Sequence, residues 1–431
     1  MKAALLEPID VHELRLGMFV HLDIGWMSHP FPLSSFKLES AQQIEIIRGL
    51  GLKQVRWAPE LSEAPPPAEE GVAPRSEAEG VTPAPAAAPA PMESPEVRAR
   101  AERRRRAAAQ REALQRCERQ YGEAARDFHR TWDQVLTRPE QARQHAEQLS
   151  RALVDKMLGE QELCVRLLSE QTGDRSAMHA LNVMLISLLM GRSFGLPEND
   201  LLDLGVGAML HDVGKVELPE RVRHRDEHMT GSEASYYEEH VARGVAQARR
   251  MGLSAGASLV IAQHHEHADG TGFPLKIGAE RMSPMSRIVA LVNRYDRLCN
   301  PPLGARAYTP HEALSYMFAQ GKTRFDTAIL GAFIKMMGVY PPGSTVQLTD
   351  DRYAIVVAVN ATRPLKPRVL VHEAGVPANE AVIVDLETQP NLGIRRSLAP
   401  LQLPDAALRY LSPRQRVVYF FEPALVFETT M

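Results

Sequence analysis

Five histidines and one aspartate stand on four separate segments of this chain, and no other feature limits its possible folds so tightly. His179 lies in Ala177-Met178-His179-Ala180-Leu181, the start of a strongly apolar helical stretch that runs through Leu188. His211 and Asp212 follow in Met209-Leu210-His211-Asp212-Val213-Gly214-Lys215, and His240 lies in Glu239-His240-Val241-Ala242-Arg243-Gly244. His264 and His265 close the apolar segment Leu259-Val260-Ile261-Ala262 and abut the Gly-rich Asp269-Gly270-Thr271-Gly272-Phe273-Pro274. Side chains this far apart converge only in a folded bundle, and inward-facing ligands on bundle helices are a common way to hold two metal ions.

Positions 204, 208, 211, 212 and 215 follow a 3.6-residue repeat. The spacing predicts one helix face on which Leu204 and Ala208 turn inward beside His211, Asp212 and Lys215. Such a face is a candidate metal site with a lysine able to reach a phosphate. An adjacent His-Asp pair arises by chance about once in a chain of this length, so its weight comes from the other histidines. A single histidine among core residues is by itself more often a hydrogen-bonded core residue than a ligand. Imidazole and carboxylate together suit iron, manganese, zinc or nickel, and none of these segments carries a thiolate.

In this order the residues resemble the HD-GYP domains, metal-dependent phosphodiesterases that act on cyclic di-GMP. The family pattern is a helix histidine, H-D-x-G-K, H-x-x-x-G, and H-H-E with D-G-[ST]-G-[YF]-P. Here it reads His179, His211 to Lys215, His240 to Gly244, and His264-His265-Glu266 with Asp269 to Pro274, within residues 165–340. The resemblance implies an α-helical HD-type bundle holding two divalent transition metals, iron or manganese, with zinc or nickel as the other choices. It makes Asp212 the bridging ligand and His179, His211, His240, His264 and His265 terminal ligands. Asp212 and Lys215 are then the catalytic residues. Two cations sharing a water lower its pKa for in-line attack on a phosphodiester, while Lys215 neutralises a non-bridging phosphate oxygen.

The sequence departs from the family at several positions. Where members carry a further metal-binding aspartate this chain has Asn293, whose amide oxygen can ligate but brings no charge. Asp296 lies one turn further on. Where some members hold a third metal through a glutamate, the chain has Arg175, which would repel a cation, so two metals are expected rather than three. The tyrosine of the GYP loop is Phe273, which keeps a stacking face for a guanine and, with Gly272, forms the implied substrate loop. A family arginine matches Pro302, and Arg306 is expected to take its place in binding substrate if Asn300 to Gly304 is a short insertion. Loss of an anionic ligand also admits a second reading, a cyclic di-GMP receptor that does not hydrolyse.

Around this core the chain reads as multidomain and mainly α. Residues 1–60 form a small N-terminal α/β domain, in which Ser40-Ala41-Gln42-Gln43 fits a capping box and Gly51 a helix stop. Leu16 to Val20 and Gly25 to Phe31 resemble the small domain often found ahead of HD-GYP domains, a candidate docking surface for a signalling partner. Residues 61–94, rich in Pro, Ala and Glu, read as a disordered linker. Residues 95–172 read as a helical hairpin starting at Ser94-Pro95, broken at Pro139, and usable as a homodimer seam. Arg103 to Arg106 fit a solvated helix face better than a nucleic-acid patch. The HD-GYP-like domain takes 173–343. Residues 344–431 follow as a C-terminal β-rich subdomain with strands near Thr345–Leu348, Tyr353–Val359, Pro367–His372 and Val417–Phe421. A net charge of −3 argues against binding a nucleic-acid polymer or a membrane surface. Three unpaired cysteines and no long apolar run fit a cytoplasmic protein without membrane insertion.

Overall fold

A computed structural model describes residues 6–23, 35–38, 40–62, 94–159, 162–169, 175–223, 229–302, 305–320, 323–360 and 363–424. The Gly25 to Phe31 motif and nearly all of the 61–94 linker lie outside the described residues. The chain divides into two compact units, Met1–Glu102 and Arg103–Met431. It has the expected mainly helical architecture, with a small N-terminal α/β unit and antiparallel strands towards the C-terminus.

In the first unit, strands β1 (Glu7–Asp10), β2 (Phe19–His21) and β3 (Ser35–Lys37), helix α1 (Ala41–Gly49) and strand β4 (Gln54–Ala58) build an antiparallel sheet of order β1-β4-β2-β3. Val20, Leu38, Ile47 and Val55 fill its core. Ser40 caps α1 with both bonds of the capping box in place, so two backbone donors at the helix start are satisfied locally.

The second unit is organised around a helix bundle backed by a sheet. Helix α2 (Pro95–Gln134) starts with Ser94 accepting from Val97 N–H, and α3 (Pro139–Gly159) starts at the predicted breaker. Strand β5 (Leu163–Leu167) precedes α4 (Arg175–Ser193), α5 (Glu198–Leu210), α6 (Gly231–Met251) and α7 (Ala255–Gln263). Next come α8 (Pro284–Cys299), α9 (Pro310–Gln320) and α10 (Thr327–Met337). Strands β6 (Thr345–Leu348), β7 (Tyr353–Asn360), β8 (Arg368–Val371), β9 (Ile383–Asp385) and β10 (Ile394–Leu398), helix α11 (Asp405–Leu411) and strand β11 (Tyr419–Pro423) complete the chain.

Two expectations are corrected here. Residues 163–167 were expected to be helical, but they form a fully buried strand paired with β7 on one side and β11 on the other. The C-terminal strands are therefore not a free-standing subdomain, because the sheet of order β10-β6-β7-β5-β11 needs β5 at its heart. The apolar stripe of α2 is also used within the unit. Tyr121 meets Phe420 edge-on at 6.4 Å, and the Gln110 side-chain amide donates from Nε2 to Ile383 O and accepts at Oε1 from Ile383 N–H. Arg103 pairs with Glu373 and Arg104 with Glu380, so these arginines engage the chain's own carboxylates. All three cysteines are buried and unpaired. Among the described residues no helix is long and apolar enough to cross a membrane.

Candidate metal centre

The predicted helix face through Lys215 is not continuous. Helix α5 stops at Leu210, His211 caps it, and Val213–Glu217 turn as a 3-10 helix. The reason is a close crossing with α6. A Cβ on Gly214 would lie 1.9 Å from His240 O and 2.4 Å from Gly244 N, so only glycine lets the His-Asp turn seat there. The tighter turn still stacks Lys215 over Asp212, whose Oδ2 accepts from Nζ at 2.6 Å.

Four of the five histidines have their Nδ1 engaged from behind. His211 donates to Ala208 O at 2.7 Å, His240 to Tyr237 O at 2.6 Å and His264 to Ile261 O at 2.8 Å. Each acceptor is the carbonyl three residues earlier, so each helix's own backbone sets the ring orientation, at the C-terminal ends of α5 and α7 and within α6. His179 donates instead to Asp296 Oδ2 at 2.6 Å. With the proton on Nδ1, every Nε2 presents a lone pair to the centre, the tautomer a metal ligand needs. Nε2 of His179 and His211 then face each other at 3.1 Å, and those of His240 and His264 at 3.3 Å. Two lone pairs cannot bond one another, and a cation held by each pair would resolve each contact.

Asp212 stands between the two pairs. Its Oδ2 lies 3.6 Å from His179 Nε2 and 3.4 Å from His211 Nε2, and its Oδ1 lies 3.4 Å from His240 Nε2 and 3.6 Å from His264 Nε2. The donors gather into two groups that share this carboxylate: Asp212, His240, His264 and His265, and His179, His211 and Asp212. Oδ1 and His265 Nε2 are buried without a hydrogen-bond partner. Such orphaned atoms, in a set of imidazoles around a carboxylate, fit a divalent transition metal. Burial opposes the charge on Asp212, yet Lys215, His211 and Arg297 hold its carboxyl well below the usual carboxylate range. Burial pushes His240 down to about 2 and His264 to about 4, and it lowers His211 and His265 as well, so these rings stay neutral.

Two residues of α8 belong to the site although the motifs do not name them. Asp296, fully buried, accepts from His179, from Asn182 Nδ2 at 2.7 Å and from Asn300 Nδ2 at 2.9 Å. It orients the ring of His179. Arg297 donates to Asp212 Oδ2 from Nη2 at 3.1 Å and to Asn293 Oδ1 from Nε at 3.0 Å. Asn293, expected to ligate a metal, is thus buried with its amide oxygen already engaged. The one available signal was its i, i+4 spacing to Arg297, which places both on one side of α8.

A cleft opens on the His179 side, lined among others by Trp132, Arg175, Lys215, Arg223, Arg297 and Arg416. No ion pair engages Arg175, Arg223 or Arg416 among the described residues, and Nε of Arg223 is buried without a partner. Burial and the nearby Arg416 charge lower the pKa of Arg175. A second cleft, on the other side, is lined by His264, His265, Gly272, Phe273 and Asn293. There Phe273 stacks on His265, with ring centroids 4.4 Å apart. Gly272 packs so closely that a Cβ would lie 2.5 Å from the backbone of His265, Glu266 and His267. The buried Glu266 holds this loop by accepting from the N–H groups of Leu275 and Ile277. Arg306, expected at the substrate, is instead exposed beside Glu312 and lines neither cleft. The arginines that do line the first cleft come from the start of α4, the turn after α5, α8 and the approach to β11, too scattered for a local motif.

Residues 6–146 match a domain of unknown function, DUF3391, and residues 160–329 match the HD domain. The chain is 28% identical over 380 residues to a cyclic di-GMP phosphodiesterase of Pseudomonas aeruginosa, covering 85% of both proteins. It is 22% identical over 224 residues to the cyclic di-GMP phosphodiesterase PdeB of Borreliella burgdorferi, covering 51% of this chain and 59% of that one. Among solved structures it resembles an HDG"Y"P protein from Bdellovibrio bacteriovorus, with a TM-score of 0.41 at 14% identity, covering 76% of this chain and 98% of that chain.

Proposed function

We propose that this chain, in which residues 6–146 match DUF3391 and residues 160–329 match the HD domain, is a metal-dependent phosphodiesterase that hydrolyses cyclic di-GMP to the linear dinucleotide or to GMP. The observation that carries this reading is the convergence of histidine Nε2 atoms on both oxygens of Asp212 beside an arginine-lined cleft. The ligands are His179, His211, His240, His264 and His265 with Asp212, and the ions are iron or manganese. A bound divalent cation supplies Lewis acidity and a water of lowered pKa. Lys215 and Arg297 stand beside Asp212, where they can neutralise a non-bridging phosphate oxygen. Arg175, Arg223 and Arg416 supply further charge for the second phosphate of a cyclic dinucleotide, and Trp132 an aromatic face for a base. Phe273 offers another stacking edge in the second cleft. Work in the cytoplasm, and docking of a signalling partner through residues 1–60, complete the proposal.

Incubating purified protein with cyclic di-GMP and Mn²⁺ or Fe²⁺ tests it by chromatography of the nucleotides. Linear product should form, and Asp212→Ala should abolish it. Turnover that survives Asp212→Ala would remove the mechanism, and nucleotide binding without any turnover would make the protein a receptor.

A further inference from the structure

The two oxygens of Asp212 meet unlike surroundings. Oδ2 already faces two cations, Lys215 Nζ at 2.6 Å and Arg297 Nη2 at 3.1 Å. Oδ1 is buried, accepts no hydrogen bond, and faces only imidazole nitrogens. On the Oδ2 side the charges balance without any ion, Lys215 and Arg297 standing against Asp212 and Asp296. Arg297 is also fixed in place, because its Nε donates to Asn293 Oδ1.

We infer that the centre is electrostatically uneven: the half made by His240, His264, His265 and Asp212 Oδ1 holds one divalent cation tightly, while Arg297 keeps a second cation in the His179–His211 half weakly bound and exchangeable. An ion entering that half must either displace the guanidinium from Oδ2 or share its carboxylate with two positive charges. Asn293 serves here as a clamp on Arg297 rather than as a ligand. The inference rests on the metal-dependent reading above and deepens it.

The test loads the protein with Mn²⁺, follows binding by titration, and reads the spin state by electron paramagnetic resonance. Wild-type protein should retain about one ion per chain after dialysis, give the signal of an isolated ion, and bind a second ion at least about tenfold more weakly. Arg297→Gln should tighten the second site by about tenfold or more and give the spectrum of a coupled pair. If that variant does not fold, the wild-type titration decides alone. Two sites differing by tenfold or more support the inference, and two ions held equally tightly overturn it, as does an unchanged second site in Arg297→Gln. Absence of any binding would overturn the metal-dependent reading itself, an outcome distinct from two equal sites.

Discussion

Gly214→Ala should cost the protein its metal centre without touching a ligand. The added Cβ would lie 1.9 Å from His240 O, 2.4 Å from Gly244 N and 2.9 Å from His240 C, all backbone atoms of a single turn of α6. No side-chain rotation relieves such a contact, so the His-Asp turn and α6 must separate by more than about 1 Å. His240 rides on that turn, with Nε2 now 3.4 Å from Asp212 Oδ1. A divalent ion wants each nitrogen or oxygen donor at about 2.0–2.2 Å, so a displacement of this size removes His240 from the coordination shell. Overpacking of this kind also costs about 1–3 kcal/mol of stability. Gly231→Ala is the control, since it lies in the same helix and a Cβ there meets nothing within 4 Å. Metal titration and thermal unfolding of the metal-free protein should separate the two variants clearly. If Gly214→Ala binds metal and melts like Gly231→Ala, the close crossing does not hold the site together.

Asp296→Asn removes the charge that anchors His179 while keeping the shape, and chelator competition should show metal affinity weakened by about 10–100-fold; an unchanged affinity would mean that His179 is oriented by something else. Acid should destabilise the metal-free protein before any carboxylate protonates. His264 titrates at about 4 and His240 at about 2 in the folded chain, against about 6.5 when unfolded, so the unfolded state takes up protons first. Stability is therefore full above about pH 6.5 and falls by about 1.4 kcal/mol per pH unit for each such histidine down to about pH 4. Denaturant midpoints of metal-free protein that match at pH 7.5 and pH 5.5 would contradict this.

Local signals in the sequence held where the physics is local. Ser40 and Ser94 read correctly as helix starts and Pro139 as a breaker, because a cap or a missing N–H acts within one turn. The order of the histidines also located the centre, since the bundle brings all five rings around Asp212. What failed needed partners far along the chain. Leu163-Cys164-Val165-Arg166-Leu167 is a short apolar run that periodicity cannot assign, and its strand state is set by Val359 and Phe421, more than 190 residues away. The end of α5 was hidden for a related reason. A 3-10 turn keeps the i, i+3 spacing that a helix shows, and only the approach of Gly244 to Gly214 calls for it. Arg306 was expected in the cleft from a loop count, while the arginines that line it arrive from separate elements.

The C-terminal sheet belongs to the centre for a physical reason that the division of the sequence into domains obscured. Asp296 is a buried carboxylate, tolerable only if its oxygens are fully engaged, and two of its donors are the amides of Asn182 and Asn300. Both amides also donate to Val417 O, and their own oxygens accept from the N–H groups of Tyr419 and Val417. Tyr419 then reaches Tyr295 of α8 through paired hydroxyls 3.1 Å apart. The start of β11 thus completes the polar network that holds Asp296, which in turn sets the ring of His179. A bundle cut off at residue 343 would keep every motif histidine, yet it would leave Asn182 and Asn300 without the backbone partners that aim them. The motif specifies which side chains gather at Asp212, and the strands after it specify how firmly the ring of His179 is aimed.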